Sequence, residues 1–254
     1  MKTIVIIASL LITSVFWCQV AHGEANVLVG HWNFEQNVQD QSGYGNHGTI
    51  IGNQDYRLDP CSGGGSYSMY FDGQTYINVL DSNSLDLTHE GRITFCFKKN
   101  GYSDPEYEGI IAKTIGSDDG HVSYEAFLSN YSSTDLLAGY IHDGILGTEL
   151  VSYSPASDYL NNVWHFYDFS WDGSTLRLEI DGDLKQEIPQ TIDAYASTFD
   201  LWIGKRYYEG TNGTVGDHFY TGYLDEVKIY SIPEPNILLM LACGGLALLK
   251  KRKR

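Results

Sequence analysis

From residue 24 to residue 232 the chain is a succession of short alternating runs, broken by Gly, Ser, Asn and Asp at close intervals. Successive side chains of a β-strand point to opposite faces, so alternation marks a strand buried on one side. The run Gly91–Lys98 puts Ile93, Phe95 and Phe97 on one face and Thr94, Cys96 and Lys98 on the other. Val163–Trp171 and Thr175–Ile180 alternate in the same way, and Asp172-Gly173 between them has the chemistry of a hairpin turn. Leu224, Val227 and Ile229 are the apolar positions of a last run. No long segment repeats with the helical period. These runs are rich in Tyr, Val, Ile and Phe and predict an all-β domain of two packed antiparallel sheets. No internal repeat and no proline-rich linker divides residues 24–232.

The two ends have another character. Met1-Lys2 leads into the apolar stretch Ile4–Trp17, and Ala21 and Gly23 stand at −3 and −1 for cleavage after Gly23. Residues 1–23 therefore read as a signal peptide, and the chain is expected to be exported. Cys18 is not a lipidation site by this reading, because Trp17 fills the place where a small side chain is needed. At the other end, Pro233-Glu234-Pro235 stops any strand, since each proline lacks a backbone donor. Asn236–Leu249 follows without a charge, an expected short apolar helix, and the chain ends on Lys250–Arg254, five basic residues. That segment is shorter than the roughly 20 residues of a comfortable span. The basic cluster would keep its end on the cytoplasmic side. The order of parts in 233–254 resembles the PEP-CTERM sorting signal of bacterial surface proteins. The resemblance implies an exosortase-type processing enzyme as partner, transient membrane association through 236–249, and delivery to the cell surface or extracellular matrix.

Charge excludes some partners. Residues 24–232 hold ten Lys and Arg against thirty-one Asp and Glu, a net charge of −21. Such a surface repels nucleic acid and anionic headgroups, and no nucleic-acid partner is expected. Cys61 and Cys96 are the two cysteines between the terminal segments. In an oxidising compartment they form either a disulfide or two free thiols, and the sequence leaves both open.

Six motifs in order carry a second resemblance. They are His31-Trp32-Asn33-Phe34-Glu35, the turn Asp40–Gly48, Phe71-Asp72-Gly73, Trp164-His165 leading to Asp172-Gly173, the strand ending at Asp181-Gly182, and Gly222–Tyr230 around Asp225-Glu226. Together they resemble the laminin-G-like jelly rolls of the concanavalin A-like lectin/glucanase superfamily. The fold implied is a two-sheet antiparallel jelly-roll sandwich over 24–232, with Trp32, Trp164 and Trp202 expected between the sheets.

The resemblance also implies a structural calcium site. Glu35, Asp40 and Asp225 would supply carboxylates and the Ser42–Asn46 loop carbonyls, because calcium takes six to eight hard oxygens. The plainer alternative is that these are strand-end carboxylates satisfied by turn amides. The role most often associated with the superfamily is glycan binding, and the segment Lys205–Tyr220 has suitable groups in Tyr207, Tyr208, Asn212, Asp217 and His218. A second aromatic loop runs from Asn100 to Glu108, with Tyr102 and Tyr107. The expected function is thus a non-catalytic carbohydrate-binding or adhesion domain, with a matrix protein lacking a dedicated ligand as one alternative. The other alternative is a β-glucan hydrolase, because Glu179, Asp181 and Asp183 superficially match a glycosidase signature. Retaining catalysis needs carboxyl groups about 5–5.5 Å apart. An i, i+4 pair on a regular strand is about 13 Å apart, so no catalytic residue is expected.

Overall fold

The computed structural model describes residues 26–103, 107–114, 122–130, 135–145, 147–209 and 215–232. The expected signal peptide 1–23 and the tail 233–254, with Pro233, Glu234 and Pro235, lie outside the described residues. Val27–Ser231 forms one compact unit. Among the described residues no helix is long and apolar enough to cross a membrane.

The alternating runs become strands, and the strands make two sheets. Among the described residues one sheet has eight strands, ordered β13 (Asp183–Pro189), β12 (Thr175–Ile180), β11 (Asn161–Asp172), β6 (Glu90–Asn100), β17 (Thr221–Ser231), β4 (Ser68–Asp72) and β3 (Tyr56–Arg57). The eighth, β1 (Val27–Trp32), pairs with the second half of β17, and β4 pairs with its first half. The second sheet is ordered β10 (Thr148–Tyr153), β9 (Leu136–His142), β8 (Val122–Ser129), β7 (Tyr107–Thr114), β14 (Leu201–Ile203), β5 (Tyr76–Val79) and β2 (Gly48–Ile51). It also carries the hairpin β15 (Lys205–Glu209) and β16 (Val215–Phe219). This is the antiparallel jelly-roll sandwich expected from the sequence.

Between the sheets lie the apolar sides of the strands. Ile93, Phe95 and Phe97 of β6 are fully buried, as the alternation requires, and Phe95 stacks on Tyr167 with ring centres 4.5 Å apart. Burying each such side chain contributes roughly 1.5–3 kcal/mol. Trp32 fills the core as expected, but Trp164 and Trp202 do not. Tyr167, Phe169 and Trp171 occupy the inward positions of β11, so Trp164 falls on the opposite face, where its Nε1 donates to Asp59 at 3.2 Å. Leu201 and Ile203 likewise turn Trp202 away from the core. Trp171 takes the interior place instead.

Strand β17 departs from simple alternation. Its register slips between Asp225 and Lys228, and Glu226 has φ +51°, a bulge that keeps both Leu224 and Val227 facing inward. The bulge also sets Asp225 opposite Cys96, on the face away from the core.

Candidate functional site

Two places gather the side chains singled out from the sequence. The first is the β15–β16 hairpin. After β14 the chain turns at Gly204, whose amide donates to Ile110 O at 2.8 Å, and β15 then passes over the outer face of β7. Gly109 makes that passage feasible. A Cβ there would come within 2.2 Å of Arg206 N and 2.5 Å of Lys205 C. Backbone therefore rests on backbone, and Lys205 and Arg206 reach different neighbours on the outer face of the nine-stranded sheet.

Lys205 points toward β5 and β14. Its ammonium lies 4.3 Å from the Trp202 ring centre and 4.6 Å from that of Tyr76, and it pairs with Asp217 Oδ1 at 2.8 Å. Trp202 Nε1 donates to Asn78 Oδ1 at 2.8 Å, which orients the indole. Arg206 points toward β8, 4.3 Å over Phe127 and 5.1 Å over Tyr107, with Nη2 2.9 Å from Glu125 Oε2. Burial pushes the Glu125 carboxyl upward, against the pull of the Arg206 charge. Desolvation disfavours the charged form of any buried carboxylate.

The five residues expected to bind sugar are not all placed together. Tyr207 and Asp217 are direct cross-strand partners and share a face. His218 is paired with Arg206 instead, on the alternate positions, and its ring meets Tyr107 edge-on at 5.6 Å. Asn212 and the side chain of Tyr208 lie outside the described residues. In the second aromatic loop, the Tyr102 hydroxyl donates to Asp135, and Tyr107 belongs to β7 beneath Arg206. Sequence reasoning missed Tyr76 and Glu125, assigned Trp202 to the core, and held Lys205 and Arg206 within its candidate segment without singling them out. The alternation of β5, β8 and β14 was the available signal, because it turns Tyr76, Glu125 and Trp202 outward.

The second place is the loop from Cys61 to Tyr67, which folds against the outer face of the eight-stranded sheet. Cys61 and Cys96 are joined by a disulfide, with Cα atoms 6.2 Å apart. Asp225 Oδ2 accepts the Cys61 amide at 2.9 Å, and Oδ1 accepts the Glu226 amide at 2.8 Å. Glu35 Oε1 accepts the amides of Ser66 and Tyr67 at 2.6 and 2.8 Å. Burial raises the Asp225 carboxyl to about 6. The two amides oppose this, while the charges of Glu226 and Glu35 add to it.

Asp40 does not join this pair. It organises its own turn, accepting the amides of His31, Ser42 and Asn46 and the Ser42 hydroxyl at 2.7–2.9 Å. Burial alone would raise its carboxyl, but these donors outweigh it and hold Asp40 below its ordinary value. Within the expected carbonyl loop, Asn46 O accepts Trp32 Nε1 at 3.1 Å. Among the described residues no three His, Cys, Asp or Glu side chains converge as a metal cluster.

The glycosidase-like triplet is engaged elsewhere. Glu179 binds Arg177 at 2.6 Å, and Asp183 stands 3.6 Å from Lys185. Asp181, with φ +56°, closes the β12–β13 turn while its carboxylate holds Phe166 N and His165 Nδ1, both at 2.8 Å.

The profile of a family described as the concanavalin A-like lectin/glucanases superfamily matches residues 71–233. No characterised protein matches the chain in sequence. Several solved structures share its fold. Domain 4 of AbnA, a GH43 extracellular arabinanase from Geobacillus stearothermophilus, in complex with arabinotriose, superposes with a TM-score of 0.57 at 17% identity, covering 82% of this chain and 94% of that one. The binding domain of botulinum neurotoxin serotype D gives 0.56 at 13% identity, covering 88% of this chain and 51% of that one. That of botulinum neurotoxin DC, in complex with SialylT, gives 0.56 at 13% identity, with 85% and 50% covered. The chain thus spans about half the length of these toxin domains, and the likeness is one of fold.

Proposed function

The chain belongs to the concanavalin A-like lectin/glucanase superfamily, and on that premise we propose that Val27–Ser231 is a non-catalytic glycan-binding domain of an exported surface or matrix protein. The observation that carries the reading is the set of outward rings at the β15–β16 hairpin. Tyr76 and Trp202 flank Lys205, Asn78 and Tyr207 place polar groups beside them, and Asp217 answers the Lys205 charge. Aromatic faces cover the apolar side of a sugar ring while amide and hydroxyl groups meet its hydroxyls. The neighbouring folds that hold arabinotriose and SialylT support a glycan over other ligands of the fold. The test is a glycan array probed with the purified domain and with its Trp202→Ala variant. Retention of at least one glycan by the native domain, lost in a variant that remains folded, is the expected result. An array with no retained glycan would sink the reading.

The proposal extends to export and sorting, supported by the two terminal segments. The charged start and apolar stretch of residues 1–23 support export. The ordered Pro233-Glu234-Pro235, apolar and basic parts support sorting by an exosortase-type enzyme, with transient membrane attachment through 236–249. Mass spectrometry of the surface-located protein should find neither 1–23 nor the residues after Pro235. An intact C-terminus on mature protein would contradict the sorting step.

A divalent cation such as calcium fits Glu35 and Asp225 as a structural ligand pair. The charge of the half-buried Glu35 adds to the burial that raises the Asp225 carboxyl, and a hard cation would relieve that repulsion. Asp40 is no part of this pair, since its oxygens already hold four donors. Adding calcium to EDTA-treated domain should raise its melting temperature, and an unchanged value would remove the cation from the proposal.

A further inference from the structure

The same face carries two cations whose charges are already answered inside the protein. Lys205 is only 7% exposed and is enclosed by Tyr76, Trp202 and Phe219, the last at 5.7 Å, with Asp217 at 2.8 Å. Arg206 is 5% exposed, lies against Phe127 and Tyr107, and has Glu125 at 2.9 Å. Cation–π contacts of this kind hold within about 6 Å of a ring centre.

A carboxylate or sulfate on a ligand would have to compete with Asp217 or Glu125 for these cations. For the buried Arg206–Glu125 pair, separation would leave Glu125 as an uncompensated charge, which is strongly destabilising. Asp217 is partly exposed, and losing its pairing costs less. The displaced anion would also remain on the face and repel the incoming one. The net charge of −21 over 24–232 adds a repulsion that acts before contact. Hydroxyl groups meet neither obstacle. They bond to Asn78 and Tyr207 without a counter-charge, and the rings of Tyr76 and Trp202 cover the C–H side of a sugar.

We propose that this face selects uncharged glycans over uronate-, sialate- or sulfate-bearing ones, with Asp217 and Glu125 serving as the internal anions that exclude the charged ligands. The proposal rests on the glycan-binding reading above and adds the substrate class. It also sets this chain apart from the toxin domain solved with SialylT, whose fold it shares.

Two substitutions separate selectivity from binding itself. Asp217→Asn and Glu125→Gln keep side-chain shape; the first takes the Asp217 charge from beside Lys205, and the second takes the Glu125 charge from beside Arg206. Affinities of native domain and variants are measured against neutral oligosaccharides of β-glucan and arabinan, and against polygalacturonate, sialylated and heparin-type oligosaccharides. The native domain should bind a neutral probe at least about tenfold more tightly than any charged one. Asp217→Asn should narrow that gap by about tenfold, with the gain fading as salt is raised. Tighter native binding to a charged probe would overturn the selectivity while leaving glycan recognition intact, as would an unchanged gap in a folded Asp217→Asn domain. Binding to no probe would overturn the glycan reading, and the selectivity with it. Glu125 is wholly buried, so Asp217→Asn, on a hairpin side chain 40% exposed, keeps the test decisive if Glu125→Gln fails to fold.

Discussion

The Cys61 amide donates to the Asp225 carboxylate at 2.9 Å, across 164 positions of sequence. Through this bond the 61–67 loop is held to the last strand. Glu35 holds the same loop from the other end, through Ser66 and Tyr67, and the disulfide to Cys96 fixes it to β6. The segment after β1, the 61–67 loop, β6 and β17 are therefore tied together here.

Removing the Asp225 acceptor should loosen that junction. Asp225→Ala leaves two amides without a partner in a buried place, and each such loss costs about 1–3 kcal/mol. Asp225→Asn keeps one side-chain oxygen and should cost less. Urea unfolding of the three proteins checks the order, and equal midpoints for native and Asp225→Ala would refute it.

The disulfide closes a loop with a sequence separation of 35 residues. Crosslinking a loop of that length restricts the unfolded chain by about 3–4 kcal/mol in the entropic account. The double variant Cys61→Ser/Cys96→Ser should lose about 2–4 kcal/mol. Adding reductant should shift the native protein toward the same melting temperature and leave the double variant unmoved. A reductant effect on the variant would show that another cause is at work.

How much of this was legible beforehand differs between fold and site. The period of two in Gly91–Lys98 and Thr175–Ile180 foretold both strands and their buried faces, because alternation is a local property. Trp164 and Trp202 were misplaced for want of the same count, since their neighbours Tyr167, Leu201 and Ile203 take the inward positions. The bulge at Glu226 is written in the three-residue step from Leu224 to Val227, which a regular strand does not allow. Convergence was harder to see. Nothing local says that Glu35 and Asp225 share a loop while Asp40 closes its own turn. Arg206 and Glu125 meet only because a hairpin crosses the sheet.

Acid should find one surface pair before the core. Lys98 Nζ donates to Asp59 Oδ2 at 2.5 Å, and this bond, helped by Trp164, holds the Asp59 carboxyl below its ordinary value against a smaller effect of burial. A carboxyl lowered in the folded state contributes stability above its unfolded value of about 3.9, and that contribution fades as pH falls through the folded value. Asp59 is 39% exposed, so solvent screening limits the effect to about 1 kcal/mol at neutral pH. Asp59→Asn should therefore be slightly less stable than native at pH 7, and the difference should shrink as pH falls below about 4. A difference that persisted undiminished at pH 2 would mean that the hydrogen bonds, not the charge, carry the contribution.

Gly109→Ala tests whether the hairpin owes its place to one absent side chain. The new Cβ would meet Arg206 N at 2.2 Å and Lys205 C at 2.5 Å. Both are backbone atoms, so no side-chain rotation relieves the contact, and overpacking of this kind costs about 1–3 kcal/mol. The sheet beneath is held by β8 and β14 on either side of β7, so β15 is the element that gives way. Lifting β15 would draw Arg206 from Glu125 and Lys205 from the rings of Tyr76 and Trp202. The expected outcome is a folded domain, slightly destabilised, whose Trp202 fluorescence shifts and whose glycan retention falls along with that of Trp202→Ala. A Gly109→Ala protein with native fluorescence and native retention would show that β15 accommodates the methyl group, and the hairpin's position would need another explanation.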